Sequence, residues 1–266
     1  MNPAASPAAG DAAELTGRVV ILTGASRGIG KGLAIGLARH GATVVCAART
    51  VDTHPDGLPG TIHETVARIE EAGGTALAVR CDIGNEGDIH HLVDTTVATY
   101  GRIDALVNNA MAPTRSAFAE STPEQWDESM RVNVRSLYVF CKAVVPHMTN
   151  RGGGSIVNIS SGGAGHESTP FMPPGYVTYA VAKAAMERFS TALAPELVDL
   201  GIAINALRPG AVKTELSVHE LGEDHDWSGW GTPEDVVPAV VYLVAQTGAT
   251  FTGRVVDSTQ FGSVWP

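Results

Sequence analysis

The feature that most constrains the fold is a glycine-rich turn placed directly after an apolar, β-branched run. The run covers residues 18–22 and leads straight into Thr23-Gly24-Ala25-Ser26-Arg27-Gly28-Ile29-Gly30. Apolar residues then recur at helical spacing from Leu33 until Gly41, so the pattern predicts a strand, a tight turn and a helix. Free backbone N–H groups and the helix dipole at such a helix start bind anions, and glycines let a pyrophosphate approach closely. The alternative is an ordinary tight turn that closes a βα unit.

Strand-like and helix-like segments alternate along the rest of the chain. We predict strands near residues 18–23, 43–48, 75–81, 103–107, 154–159, 202–207 and 251–257, and the longest helices near 123–148 and 177–199. This alternation predicts an α/β fold with a single doubly wound parallel sheet of about seven strands and helices on both faces. Ligands bind such a sheet at the carboxyl ends of its strands.

Length and composition predict one catalytic domain, residues 15–266, behind a disordered tail, residues 1–14. The hydrophobic content of 44% and charged content of 17% are those of a globular protein, without an apolar run long enough to cross a bilayer. The formal net charge of -10 argues against a nucleic acid or an anionic membrane as a partner. The tail lacks the basic and leucine-rich stretches of a signal peptide, so we expect a cytoplasmic protein.

The cysteines and histidines do not predict a metal site. Cys46, Cys81 and Cys141 are scattered without ligand spacing, and an odd number without a secretion signal indicates reduced thiols. Cys46 and Cys81 fall in strand-like runs, where we expect small core residues. The nine histidines include no pair at helical ligand spacing and no cysteine partner.

Tyr179 and Lys183 are the strongest candidates for proton transfer. They lie four residues apart in a predicted helix, which places both side chains on one face. A free phenol has a pKa of about 10, and lowering it to about 7 takes roughly 4 kcal/mol of differential stabilisation. A neighbouring ammonium in a partly dehydrated cleft supplies much of that, and a cationic nicotinamide ring could supply the rest. Alone, this spacing is also typical of a packed ring beside a solvated charge.

Six motifs, in one order, resemble those of the short-chain dehydrogenase/reductase family. They are Thr23-Gly24-x-x-x-Gly28-x-Gly30, Asn108-Asn109-Ala110, Asn133, Ser160-Ser161, Tyr179-x-x-x-Lys183 and Pro209-Gly210-x-Val212-x-Thr214. The resemblance covers nearly the whole chain after about residue 15. It implies a Rossmann-type oxidoreductase that moves a hydride between a nicotinamide coenzyme and an alcohol or carbonyl carbon.

The resemblance also implies catalytic roles for four residues. Tyr179 is the general acid and base, and Ser161 donates a hydrogen bond to the substrate oxygen. Lys183 lowers the tyrosine pKa and holds the nicotinamide ribose, while Asn133 steadies a water relay to the lysine. Two alternatives stay open from the residues themselves. Neighbours in a strand face opposite sides, so either Ser160 or Ser161 can face the cleft; Tyr176 is a second tyrosine, although it has no lysine four residues on.

Coenzyme-binding positions follow from the resemblance, residue by residue. Asp82 and Ile83 correspond to the adenine-edge contacts, and Asn108 and Ala110 to the wall of the adenosine ribose. The remaining positions are the glycine turn, the lysine and tyrosine of the helix, and the segment that holds the nicotinamide carboxamide: Gly24, Ser26, Arg27, Gly28, Ile29, Gly30, Tyr179, Lys183, Pro209, Gly210, Val212 and Thr214. The chain departs from the family pattern at Met111, where a glycine usually follows.

Arginines at two positions favour NADP(H) over NAD(H). Arg49 ends the second predicted strand, where an acidic residue would accept the ribose 2′-hydroxyl and an arginine suits a 2′-phosphate. Arg27 in the glycine turn adds a second cation on the same side. The alternative is that these arginines are solvated surface charges.

Apolar and proline-rich segments surround the predicted substrate cleft. The stretch 162–177 is longer than the family usually shows and contains Pro170-Phe171-Met172-Pro173-Pro174, and Leu216, Trp227 and Trp230 follow later. They favour a hydrophobic alcohol, ketone or aldehyde over a small sugar. The same residues could instead form a lid or an oligomer contact. Residues 50–61 border the adenosine end or form a surface loop, and Ser258-Thr259 replace the paired glycines usual in the family.

The sequence therefore predicts an NADP(H)-dependent oxidoreductase for alcohols and carbonyl compounds. By resemblance we expect a homodimer or a homotetramer. A non-catalytic dinucleotide-binding sensor or structural subunit on the same fold is the alternative. A sugar epimerase or dehydratase is a further rival, but such enzymes usually have longer chains with a separate substrate domain.

Overall fold

Seven strands pair side by side in the computed structural model, which describes residues 14–52, 57–112, 115–166 and 174–266. They are β1 (Val19–Thr23), β2 (Thr43–Ala48), β3 (Thr75–Arg80), β4 (Ala105–Asn108), β5 (Gly154–Ile159), β6 (Ile202–Arg208) and β7 (Val255–Asp257). The order across the sheet is β3-β2-β1-β4-β5-β6-β7, and all neighbours are parallel. The order reverses direction between β1 and β4, which opens a crevice at their carboxyl ends.

Helices connect successive strands and cover the sheet. They are α1 (Gly28–Arg39), α2 (Ile62–Glu71), α3 (Glu86–Tyr100), α4 (Pro123–Met130), α5 (Ser136–Asn150), α6 (Val177–Leu197), α7 (Glu215–Leu221) and α8 (Val237–Ala245). Short 3₁₀ turns occupy Gly162–Ala164, Val198–Leu200, Pro233–Val236 and Ser258–Gln260. Each βαβ crossover therefore places a helix against one face of the sheet.

The sheet is buried on both faces, as its parallel strands require. In β1, Val20 and Leu22 belong to a core shared with α1, α2 and α8, whereas Val19 and Ile21 belong to a core shared with α3, α5 and α6. The alternation arises because successive side chains of a strand point to opposite faces. The predicted fold class, with its doubly wound parallel sheet and helices on both faces, is confirmed.

Two predicted elements differ in detail. The helix expected over 123–148 contains a π-helical turn, Arg131–Arg135, between α4 and α5. The strand expected over 251–257 begins only at Val255, because side chains replace the regular ladder before it. The Asn205 side chain donates to the Phe251 carbonyl at 2.9 Å, and the Thr252 hydroxyl accepts from the Ile204 N–H at 3.0 Å.

Several predictions fall on residues outside the described ranges. These are the tail up to residue 13, His54, Pro55 and Asp56 in the stretch 50–61, and residues 167–173 in the stretch 162–177. The described chain begins at exposed Glu14, and Leu15 is already fully buried. Within the described ranges, no helix combines the length and apolar character needed to span a bilayer.

Candidate active site

The glycine turn after β1 is packed so closely that side chains would not fit. A Cβ on Gly24 would lie 2.7 Å from the Asn109 amide nitrogen, and one on Gly30 would collide with the Gly24 carbonyl. Gly24 and Gly28 also have φ values of +72° and +52°, which side chains rarely adopt. These glycines are therefore required by the shape of the turn itself.

The motif after β4 holds this turn in place. The Asn109 side chain donates to the carbonyls of Thr23 and Gly24 at 3.0 and 3.3 Å. In return the Thr23 hydroxyl accepts from the N–H groups of Asn109 and Ala110 at 3.0 and 3.1 Å. Two motifs that lie 85 to 87 residues apart in the sequence are thus held together at the switch between β1 and β4.

The N-terminus of α1 accepts an anion in this structure. Arg27 is the N-cap residue, yet its side chain makes no capping hydrogen bond. The Gly28 N–H instead donates to the Glu215 carboxylate at 2.8 Å. A Cβ on Gly28 would lie 3.2 Å from the Thr214 methyl, so the segment after β6 sits directly over the turn. The carboxylate shows that an anionic oxygen fits here, as the phosphate oxygens of a dinucleotide would.

The two predicted phosphate-binding arginines lie at one corner of the sheet. Arg49 is exposed immediately after β2, and the Arg27 guanidinium lies 3.5 Å from the Thr50 hydroxyl. Ser26 is buried and Ile29 half-buried in the same turn. A cationic corner at the ends of β1 and β2 suits a phosphate carried on the adenosine side of a dinucleotide.

The other predicted coenzyme residues follow the ends of strands, with contacts of their own. Asp82 accepts from the Gly84 N–H at 2.9 Å, and Ile83 packs against the core. Asn108 is buried and donates to Asn158 at 2.8 Å, while its Oδ1 has no hydrogen-bond partner within the described residues. Ala110 is half-buried beside the glycine turn, and after β6 come half-buried Pro209, exposed Gly210, buried Val212 and half-buried Thr214.

The structure places Ser161, rather than Ser160, beside Tyr179. The side chains of Ser161 and Tyr179 share a hydrogen bond. Ser160 is buried and turns the other way, where its hydroxyl donates to Glu187 at 2.7 Å. Tyr176 packs edge-on against the Tyr179 ring, with 5.9 Å between ring centroids, and lies under the guanidinium of Arg115.

Lys183 is buried next to the tyrosine. Its ammonium lies 5.8 Å from the centroid of the Tyr179 ring and donates to the Ile159 carbonyl, at the end of β5, at 2.6 Å. Burial lowers the pKa of Lys183 to about 8, although the nearby Glu187 carboxylate acts to raise it. The spacing on α6 therefore brings the phenol and the amine together, as we expected.

The pKa of Tyr179 moves in the direction opposite to the expected one. Burial raises it above its usual value, while the Ser161 hydrogen bond and the positive charge of Arg115 act to lower it. Arg115 is held by an ion pair with Glu220 and by the Tyr176 ring, 4.5 Å away. The chain's own groups thus favour the protonated phenol, which is the form that donates a proton.

Asn133 lies in the π-helical turn and clamps the segment after β4. Its Oδ1 accepts from the Ala112 N–H at 2.8 Å, and its Nδ2 donates to the Ala112 carbonyl at 3.0 Å. A π-helical turn widens the helix locally and is frequent at functional sites. The half-buried Met111 therefore lies between two fixed points, Ala110 on the glycine turn and Ala112 on Asn133.

The predicted apolar rim is only partly brought together. Trp227 and Trp230 pack on each other and on His225, with 5.1 Å between the indole centroids, and Lys213 lies over Trp227. Leu216 is half-buried on α7. Within the described ranges, no three metal-ligating side chains come together.

Sequence reasoning missed Arg115, Glu187 and Glu215. Arg115 and Glu215 act through partners distant in the sequence, so no local spacing marks them. Glu187 follows Lys183 by four residues on α6, a spacing that could have drawn attention to it. Glu215 directly follows the predicted Thr214, which is the only sequence signal that could have drawn attention to it.

Comparison with known proteins agrees with this geometry. The family model "short chain dehydrogenase" matches residues 18–224. A 3beta-hydroxysteroid dehydrogenase 1 from Eggerthella lenta is 31% identical over 250 residues, which are 90% of this chain and 91% of that protein. Hydroxysteroid dehydrogenase-like protein 2 from Xenopus tropicalis is 34% identical over 243 residues; these are 91% of this chain but only 57% of the relative.

Solved structures share the fold. The crystal structure of L-sorbose reductase from Gluconobacter frateurii, complexed with NADPH and L-sorbose, superposes with a TM-score of 0.79 and 27% identity. The match covers 93% of this chain and 97% of that one.

Proposed function

Because this chain belongs to the short-chain dehydrogenase family, we propose that it is an NADP(H)-dependent oxidoreductase that interconverts an alcohol and a ketone or aldehyde. The observation that carries the proposal is the meeting of Ser161, Tyr179 and Lys183 at the carboxyl end of β5, on the same edge of the sheet as the anion-binding turn that follows β1. A hydrogen-bonded phenol next to a buried amine is an arrangement suited to proton transfer at an oxygen atom.

The chain's own residues handle the proton and the developing charge. In reduction the Tyr179 hydroxyl protonates the carbonyl oxygen, and in oxidation the tyrosinate takes the alcohol proton. The Ser161 hydroxyl donates a hydrogen bond to the same oxygen as it becomes negative. Lys183 stabilises the tyrosinate and binds the nicotinamide ribose, and Asn133 steadies a water relay to the lysine while it fixes the loop at Ala112.

The coenzyme, when bound, supplies or accepts the hydride. Its pyrophosphate binds at Gly28 and Ile29, and Arg27 and Arg49 bind the 2′-phosphate that distinguishes NADP(H) from NAD(H). Asp82 and Ile83 bind the adenine, Asn108 and Ala110 the adjoining ribose, and the segment from Pro209 to Thr214 the carboxamide. The NADPH in the L-sorbose reductase structure supports this choice of coenzyme.

We propose an apolar carbonyl or alcohol as the substrate. The half-buried Leu216, Trp227 and Trp230 on the segment after β6 support an apolar wall, as do two relatives named for hydroxysteroids. The structural neighbour that was solved with L-sorbose makes sugars the alternative substrate class.

The chain forms a homodimer or homotetramer in this proposal, through α5 and α6. A groove of about 520 Å³ runs between these helices, lined by Tyr138, Val145, Pro146, Phe189 and Leu193. Tyr138 is 56% exposed at this groove, so its ring is available to pack against a second copy of the chain. We place the protein in the cytoplasm, where its three unpaired cysteines stay reduced.

The test is NADPH oxidation with a panel of hydroxysteroid-type ketones, simple aliphatic ketones, aldehydes and ketoses. Replacing Tyr179 with Phe should lower kcat by at least about a hundredfold, because the proton donor is lost, while the NADPH dissociation constant stays within about threefold. Tyr176→Phe is the matched control and should keep its turnover. Equal turnover in Tyr179→Phe would refute the role of Tyr179, and binding of NADPH without turnover of any substrate would favour the sensor.

A further inference from the structure

We propose that Glu187 is a positioning residue of this active site: it anchors Ser160, which turns Ser161 toward Tyr179, and it provides the buried counter-charge for Lys183. The proposal rests on the proposed function for its kinetic consequences. Its geometry stands on its own, because Glu187 accepts three hydrogen bonds, from Ser160 and Arg208, where β5, β6 and α6 meet.

Both oxygens of the Glu187 carboxylate accept hydrogen bonds. Its Oε1 accepts from the Ser160 hydroxyl and from the Arg208 Nε, both at 2.7 Å, and its Oε2 accepts from the Arg208 Nη2 at 2.8 Å. Glu187 is 9% exposed, whereas the side chain of Arg208 is 26% exposed. A two-pronged arginine and a hydroxyl therefore fix the carboxylate in one orientation.

The hydrogen bond between Ser160 and Glu187 determines which of the two serines faces Tyr179. Ser160 directly follows β5, and Ser161 has extended backbone angles of φ −159° and ψ 151°, so the two side chains point to opposite sides. The inner side is taken by the bond between Ser160 and Glu187, which leaves Ser161 on the side of Tyr179. Losing that bond removes the constraint that decides which serine faces the cleft.

The same carboxylate balances the charge on Lys183. Glu187 lies one turn further along α6, and within the described residues the charged groups that face it are Lys183, Arg208 and Asp257. Burial raises the pKa of Asp257, Arg208 acts to lower it, and Glu187 acts to raise it. Burial favours a neutral Lys183, and the Glu187 carboxylate opposes this, so it stabilises the charged ammonium.

Two substitutions should shift the pKa of Lys183 in opposite directions. Glu187→Gln keeps the shape but removes the negative charge, so the pKa of Lys183 should fall below its value of about 8. Arg208→Gln leaves Glu187 without its cation, so the pKa of Lys183 should rise. A group is charged below its pKa, so the high-pH loss of kcat for reduction should begin at lower pH in Glu187→Gln and at higher pH in Arg208→Gln.

The measurement is an NMR titration of the Lys183 side-chain nitrogen, assigned with Lys183→Met, alongside pH profiles of kcat. Glu71 is an exposed carboxylate on α2, so Glu71→Gln is the charge control. It should change neither the pKa of Lys183 nor the pH profile of kcat. The charge role would be overturned if the pKa of Lys183 stayed constant in both variants or moved in the same direction in both. A purely structural network would not shift this pKa in opposite directions.

Ser160→Ala tests the anchor separately. It removes one hydrogen bond without changing any charge, so kcat should fall at least about threefold while the Lys183 titration stays as in the wild type. Unchanged kcat would overturn the anchoring role. If none of the carbonyl compounds tested supports NADPH oxidation by the wild type, the proposed function fails. The NMR titration still decides whether Glu187 controls the charge of Lys183.

Discussion

Burial and charge act in opposite directions on the two residues proposed to move protons. Burial raises the pKa of Tyr179, and burial lowers the pKa of Lys183 to about 8. The spacing of Tyr179 and Lys183 predicts their proximity, but it contains no information on how deeply either is buried. Ser161 and Arg115, rather than the lysine, offset the effect of burial on the pKa of the phenol. A positively charged nicotinamide ring beside Tyr179 would act in the same direction.

In the proposed function, coenzyme preference depends on two residues, Arg27 and Arg49. Arg49→Asp should weaken NADPH binding about tenfold or more, because a charge-assisted bond to phosphate is replaced by repulsion. NADH binding should be unchanged or stronger, since an aspartate can accept the ribose 2′-hydroxyl. Fluorescence titrations with both coenzymes measure the ratio.

Arg39→Asp is the control for this change in charge. Arg39 is exposed at the end of α1, away from the glycine turn, and this variant should keep the wild-type ratio. If the ratio of NADPH affinity to NADH affinity were the same in Arg49→Asp as in the wild type, Arg49 would not bind the 2′-phosphate.

The identities of the site residues could be read from sequence more readily than their orientations. The motifs predict that Ser161, Tyr179 and Lys183 meet, and the structure brings these three together. Sequence alone left Ser160 and Ser161 open, because the deciding partner, Glu187, is 27 residues away. Orientation depends on tertiary contacts that a local pattern does not encode.

Among the elements, α7 bears most directly on coenzyme binding, because its first residue occupies the anion site. The Glu215 carboxylate accepts from the Gly28 N–H at 2.8 Å, where we propose that the pyrophosphate binds. If the pyrophosphate binds here, two anions compete for one helix N-terminus, so we expect the carboxylate to leave as the coenzyme enters.

Removing the charge of Glu215 should therefore tighten coenzyme binding. Glu215→Gln is expected to lower the NADPH dissociation constant about threefold or more, with the difference shrinking at high salt. Calorimetric titration at low and high salt measures it. Glu223→Gln, an exposed position beyond α7, is the control. Weaker binding in Glu215→Gln would show that the carboxylate assists the coenzyme rather than competing with it.

Element types were predictable and element irregularities were not. Hydrophobic periodicity gives the strands and helices within a few residues. The π-helical turn at Arg131–Arg135 and the late start of β7 coincide with tertiary hydrogen bonds that no local pattern encodes, from Ala112 to Asn133 and from Asn205 to Phe251. The former fixes the loop after β4, so this irregularity lies where the site needs it.

For the whole molecule, the alternation of strands and helices was sufficient to predict a parallel sheet covered on both faces. It was not sufficient to reveal the groove between α5 and α6, because the two helices are separated in sequence by β5 and meet only in the folded chain. The proposed subunit contact therefore rests on the structure, together with the family resemblance.

A charge in that groove should separate the subunits. Tyr138→Glu places a carboxylate in an apolar contact, where burial is costly, so the mass by light scattering should fall to that of one chain. Phe118→Glu is the matched control, because Phe118 is a large apolar residue that is 78% exposed and lies outside the groove. An unchanged oligomer in Tyr138→Glu would place the contact elsewhere.

The most direct test of the account is a crystal structure of the protein with NADP⁺ and a substrate alcohol. We predict the pyrophosphate at the Gly28–Gly30 turn with Glu215 displaced, and the alcohol oxygen within hydrogen-bond distance of the Tyr179 and Ser161 hydroxyls, beside the nicotinamide ring. A dinucleotide bound with its nicotinamide remote from Tyr179, or a Tyr179 hydroxyl turned to bulk water, would contradict it.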